Sequence, residues 1–332
     1  MESEVVTAAE EITAGRLTVI LQRAGLLESG RVQGVTVEGN PAFNSALCHL
    51  LVTYDSAAPG DAPRALVLKR NLPEAWAREA GKSEVDFYAE VSGLRDELPM
   101  IVPCYEAAYD PRTGDSHLLL LDVSTSHEPL TTREDLIGLR GVPAAARLDA
   151  AIDALARLHA HWWEHPSLLD GSRDVSGWYG TRQRFDAYVK RRRREWEEVL
   201  VGPGRDLPPD LRRLYPHALD RLPVLWERGL GQRVTTGNNL TLVHGDCFLS
   251  QYLSPRDGAG ITYLVDWQGA YTDLPSIDLT HLFATFWTPE QRHEEDRDRL
   301  LTPHLNPQCH PDTRPTRQDR RGVLRTPHSL PR

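Results

Sequence analysis

The chain has no run of apolar residues close to the ~20 needed to cross a bilayer, and its start, MESEVVTAAEEITAG, has neither the basic end nor the apolar stretch of a secretory leader. No membrane association is expected, and the reading is a cytoplasmic protein. Cysteine is sparse. Cys48, Cys104, Cys247 and Cys309 show no C-x-x-C spacing, which argues against a zinc knuckle or a disulfide framework and leaves reduced thiols. A basic excess is missing too: a formal net charge of −9 opposes nonspecific nucleic-acid binding, which draws its strength from Lys and Arg on phosphates. What is present is a 40% hydrophobic fraction and eight tryptophans in 332 residues, enough to bury a core in two lobes.

Residues 8–29 carry Ile12, Leu17, Ile20, Leu21 and Leu26 at mostly helical spacing, which predicts an N-terminal helix ending near ESGR. VQGVTVEG, SALCHLLVTYD and RALVLKRN are short runs rich in branched residues and read as three antiparallel strands. In KSEVDFYAEVSGLRDEL, residues 82–98, Val85, Tyr88, Val91, Leu94 and Leu98 share one face and predict a helix. VPCYEAAYD and SHLLLLDVS, joined by PRTGD, add two strands. From Ala144 the pattern turns helical, first in RLDAAIDALARLHAHWWEH and then from Trp178 to Leu200. The expectation is an α+β chain. An N-terminal lobe, residues 1–130, holds an antiparallel sheet with one helix. A mainly helical C-terminal lobe, residues 131–301, encloses LTLVHGD, QYLSP and ITYLVDW as a small β island. Residues 302–332 hold six prolines and six arginines with little to bury, so a disordered tail is expected there.

Chemistry concentrates in LVHGDCFLSQYLSP and YLVDWQGAY. Asp246 stands just past an apolar run, where a strand fixes its position and a carboxylate accepts a proton from an incoming hydroxyl. Gln251 and Asp266 flank the next two strand candidates, and a hairpin between those strands brings both oxygens onto one hard cation; magnesium bridging phosphates suits so small a ligand set. Phosphoryl transfer also needs a fixed cation on the nucleotide phosphates. Lys69 ends ALVLK, and Glu84 follows on the predicted helix, so the order Lys, Glu, Asp, amide, Asp is that of the kinases.

HGD followed by four residues and an amide, then VDWQ and DLPSIDLTHLF, resembles the aminoglycoside phosphotransferase and choline kinase superfamily, a branch of the protein-kinase-like fold. LVLK, EVDFY, VPCY, LLLLD and LARLHAHWW extend the likeness from about Gly34 to about Leu301, nearest to the phosphotransferase-enzyme and ecdysteroid-kinase-like subgroup. The resemblance implies a two-lobed fold and an ATP- and magnesium-dependent transfer of the γ-phosphate to a hydroxyl of a small substrate, aminoglycoside-, choline- or sterol-like. It implies Asp246 as catalytic base or hydroxyl-orienting group, Asp266 with Gln251 as magnesium ligands, and Lys69 on the phosphates with Glu84 holding it. Leu121, Asp122 and Val123 would be the hinge against adenine, and the turn Glu38 to Asn44 would cover the phosphates. His244 is expected to brace backbone, and His159, Trp162 and Trp163 to pack. Asp278 is expected to support the catalytic loop, and Lys190 to Arg194 to form a solvated helix face. The acceptor is expected to meet the helical insert, residues 162–230, and oligomeric state is left open. Two departures stand out: Gln251 occupies a position where the family carries asparagine, and the tail replaces further helix, as a degenerate end would. They motivate a second reading, a nucleotide-binding pseudokinase-like protein.

Overall fold

The computed structural model describes residues 4–291 apart from 42–44, 141, 170–174, 176 and 289. The tail expected at 302–332 and the end of the Glu38–Asn44 turn lie outside the described residues. Five strands, β1 (Val32–Pro41), β2 (Ser45–Tyr54), β3 (Ala65–Asn71), β4 (Cys104–Tyr109) and β5 (Ser116–Leu121), form one antiparallel sheet in the order β1-β2-β3-β5-β4. Its two faces follow from the period of two. Cys48, Leu50 and Val52 of β2 and Leu66 and Leu68 of β3 point to one side, where they pack on Leu17, Ile20 and Leu21 of α1 (Ala14–Arg23). The alternate set, Leu47, His49, Val67 and Lys69, therefore faces the other side, toward the cleft.

The N-terminal helix is shorter than the 8–29 predicted. Residues 9–11 form a separate 3-10 turn, Thr13 caps α1 by accepting the Arg16 N–H at 3.2 Å, and Gly25, at φ +72°, ends it. The second helix is displaced from the prediction. Instead of 82–98, α2 runs Ala75–Val91, because the buried stripe Val85, Tyr88, Val91 continues upstream through Ala77, whereas SGLRDEL folds into tight turns. Leu98 still reaches the core, but from a turn rather than a helix face.

The second half is mainly helical: α3 (Arg133–Ile137), α4 (Ala145–His161), α5 (Arg182–Val201), α6 (Pro209–Leu225), α7 (Gly231–Thr236) and α8 (Ser276–Phe283). Leu148, Ile152, Leu155 and Leu158 of α4 form its buried stripe, and Trp162 joins their cluster. The expected β island resolves into two small sheets. Strand β7 (Thr241–Val243) pairs with β10 (Tyr271–Asp273), while β8 (Tyr252–Pro255) lies between β6 (His127–Pro129) and β9 (Tyr263–Leu264). Strands β6 and β10 are three residues each, too short for an alternation signal. Among the described residues, no helix is long and apolar enough to cross a membrane.

Candidate active site

Strand β7 is buried throughout and carries the chain straight into His244, Gly245 and Asp246. Asp278 of α8 holds this loop from behind. Its carboxylate accepts the His244 N–H at 2.8 Å and the Gly245 N–H at 2.9 Å, and the His159 ring from α4 at 2.9 Å. Burial alone would raise the Asp278 pKa, but the bond from His159 and the rings of His159 and His244 outweigh it and hold it below the usual carboxylate range. His244 braces the loop sideways: Nε2 donates to the Val265 carbonyl at 2.9 Å, and Nδ1 accepts the Asp246 N–H at 3.3 Å. Gly245 sits at φ +79°, and a Cβ there would stand 2.2 Å from the Gly269 carbonyl, so only glycine fits. The half-buried Asp246 carboxyl is pushed up chiefly by burial and also by the charge of Asp266, against the pull of His244 and His281.

The pairing Tyr252 with Leu264 closes the β8–β9 hairpin and brings Gln251 beside Asp266. Gln251 Nε2 donates to Asp266 Oδ2 at 3.3 Å. Asp266 occupies the left-handed region at φ +70°, an uncommon conformation for an aspartate that turns its carboxylate out of the strand line. Lys69 Nζ reaches Asp266 Oδ1 at 2.7 Å and Glu84 Oε1 at 2.8 Å, tying β3, α2 and the loop after β9 together. Burial works against the Lys69 charge, but the two carboxylates prevail and raise its pKa; Lys69 in turn keeps Asp266 ionised. The same Glu84 oxygen accepts the Trp267 N–H at 3.2 Å, and the Phe87 ring stacks on Trp267 with centroids 4.1 Å apart.

At the opposite end, the N–H groups of Leu121 and Asp122 donate to the carbonyls of Pro103 and Ala65 at 2.9 and 3.1 Å, and among the described residues no backbone carbonyl takes the Val123 N–H. Asp122 also accepts His49 Nδ1 at 2.7 Å and the Ser124 N–H at 2.8 Å. The sequence did not single out His49, although its place between inward Cys48 and Leu50 assigns it to the cleft face.

All eight residues predicted for the site, Lys69, Glu84, Leu121, Asp122, Val123, Asp246, Gln251 and Asp266, line one cleft of about 740 Å³. Apolar walls from Leu47, Val67, Val102 and Leu120 adjoin its Leu121–Val123 end, and Glu84, Asp246 and Asp266 gather at the other. The remaining candidates fall elsewhere. His159 and Trp162 are buried in the core, Trp163 is partly exposed, and the basic run of α5 pairs with its surroundings, Arg192 with Glu195 at 2.8 Å and Arg193 with Asp220 at 2.6 Å. Among the described residues no group of three His, Cys, Asp or Glu side chains is arranged to hold a metal ion.

A sheet-borne lysine paired to a helix glutamate, opposite a strand-end aspartate and a second aspartate, is the arrangement of a kinase-type phosphotransferase. The model of the phosphotransferase enzyme family matches residues 58–315, most of the chain, and the chain belongs to that family. The match runs past Leu301, beyond the end of the likeness read from the sequence. No curated protein matches. Among solved structures, the chain is similar to the GDP complex of wild-type aminoglycoside 2'-phosphotransferase-IIIa, with 15% identity over 88% of this chain and 83% of that one and a TM-score of 0.49. It is also similar to choline kinase LicA from Streptococcus pneumoniae, with 14% identity, 92% and 84% of the two chains covered, and a TM-score of 0.45. A third is aminoglycoside phosphotransferase APH(3'')-Id from Streptomyces rimosus, with 19% identity, 88% and 97% coverage, and a TM-score of 0.41.

Proposed function

We propose that the protein is an ATP-dependent kinase that transfers the γ-phosphate to a hydroxyl of a small molecule. The observation that carries this is the convergence of Lys69, Glu84, Asp266 and Asp246 on one cleft from four separate elements. Adenine would lie between the apolar walls and meet the Val123 N–H. Lys69, fixed by Glu84, would neutralise phosphate oxygens. The carboxylate of Asp266 and the Gln251 side-chain carbonyl would hold magnesium together with phosphate oxygens, a hard oxygen set of the kind it takes, and few protein ligands suffice when phosphates and water fill the rest. Magnesium, when bound, neutralises charge on the transferring group. Asp246 would orient the acceptor hydroxyl and take its proton as the new O–P bond forms and the nucleoside diphosphate leaves. Catalysis of this kind is mostly positioning and charge stabilisation. The lobe boundary is placed at 130. The change of sheet from β5, in the five-stranded sheet, to β6, which pairs with β8, falls a few residues ahead of it, between 121 and 127.

A weakened, nucleotide-binding relative is the second reading. It is favoured by Gln251, whose amide nitrogen faces Asp266 while Lys69 occupies the other oxygen. Calorimetric titration with ATP and magnesium, followed by a screen of hydroxyl compounds for ADP release, separates the two. Asp246→Asn is expected to retain ATP affinity within about threefold and to lose roughly 10²-fold or more in turnover. Turnover that survives the substitution sinks the assignment of Asp246, and binding without phosphorylation of any acceptor supports the second reading.

A further inference from the structure

Resting on the kinase reading, we propose that the acceptor is an uncharged alcohol with an apolar, ring-sized body, seated on Phe248, Phe286 and α3. Phe248 lies two residues past Asp246, and its N–H donates to the Asp246 carbonyl at 2.9 Å, so its position is tied to that of the base. Its ring meets Phe286 edge to face, with centroids 5.2 Å apart, and His281 of α8 backs it at 4.9 Å. Both phenylalanines line the cleft, and so do Leu136 and Ile137 of α3, which packs beside the turn that follows Phe248. Ile137 is 63% exposed, an aliphatic side chain left open to solvent at the rim of a catalytic cleft. Water at such a wall is displaced favourably only by an apolar body.

The charges point the same way. Among the described residues the cleft has four carboxylates, and three are already committed: Glu84 and Asp266 to Lys69, and Asp122 to His49. Asp246 is the one outside an ion pair, and the proposed chemistry uses it. The other charged side chains at the wall are Lys69, Arg133 and Arg256, and Arg256 is itself paired with Glu128 at 2.6 Å. A polyamine needs several carboxylates, because each ammonium that leaves water for an apolar wall must regain its lost hydration from a counter-charge. A quaternary ammonium is held by several open aromatic faces. Here two rings meet edge to face, with His281 behind one of them, and they do not form such a cage.

The test uses the full chain, saturating magnesium-ATP, and four probes: 2-phenylethanol, cyclohexylmethanol, choline and kanamycin. ADP formation is followed for each. The neutral alcohols are expected to show a kcat/KM at least about tenfold above choline and kanamycin, the scale on which an apolar pocket discriminates. Ile137→Asp changes an exposed position that folding does not need, and places a carboxylate at the rim. It is expected to shift the neutral-to-choline ratio about tenfold toward choline with the ATP Kd unchanged. Phe286→Leu is expected to raise KM for 2-phenylethanol more than it lowers kcat. A preference for choline or kanamycin overturns the proposal. So does a chain that binds ATP yet phosphorylates no neutral alcohol, or an unchanged ratio in Ile137→Asp. If the wild-type chain binds no ATP, the kinase reading falls and this proposal with it.

Discussion

Gln251 differs from asparagine by one methylene, and that methylene sets where its amide ends. It reaches Asp266 Oδ2 at 3.3 Å, so the two side chains are neighbours without being tightly joined. Gln251→Asn is expected to lower the magnesium concentration giving half-maximal turnover by a few-fold, since a shorter, stiffer ligand loses less freedom on binding. A magnesium titration of initial rates decides it; an unchanged midpoint removes Gln251 from the ligand set. Asp246 sets the pH response. As the proposed base it would work ionised, and its raised pKa means the ionised fraction falls as pH drops through a value above the ordinary 3.8 of a free aspartate. The acid limb of a kcat/KM profile is expected above that value. A midpoint at or below it contradicts the buried, Asp266-flanked setting.

The elements that deliver these side chains differ in how openly the chain announces them. Lys69, Asp246 and Asp266 were legible because each ends a run of alternating or apolar residues, and strands place their ends predictably. The α2 register was not, because the apolar stripe reads equally well through Leu94 and Leu98, and only the tight turn after Val91 stops it. The His49–Asp122 pair and the buried contact of the Tyr179 hydroxyl with Asp273 were hidden for another reason: each joins residues 73 and 94 positions apart, and no local pattern encodes such distances. The β7–α8 junction carries the clearest stability prediction. Asp278→Ala removes the acceptor for two loop amides and a buried histidine, and is expected to cost about 3–5 kcal/mol in chemical denaturation. With pH the sign is fixed. The Asp278 pKa is depressed in the fold, so its contribution is full above the unfolded value and is lost as pH falls through the folded one. Acid unfolding of the wild type should therefore be steeper than that of Asp278→Asn.

For the molecule as a whole, the proposed function couples nucleotide in the cleft to stability. Magnesium-ATP at about a hundred times its Kd is expected to add ~2.7 kcal/mol and to raise Tm by roughly 5 °C. Lys69→Ala, which strands two carboxylates, should lower the ligand-free Tm and abolish that rise. A variant that keeps the full rise would detach Lys69 from the phosphates. The stack of Phe87 on Trp267, with Glu84 bonded both to Lys69 and to the Trp267 N–H, has a consequence for control. In regulated protein kinases the helix that carries this glutamate is positioned by a separate activating event. Here it is clamped by a buried ring to the loop that carries Asp266, and swinging it away would open the core of the molecule. On the proposed kinase function, a helix held in this way keeps Glu84 on Lys69 without a separate positioning event, and turnover would follow the abundance of the protein and the supply of its acceptor.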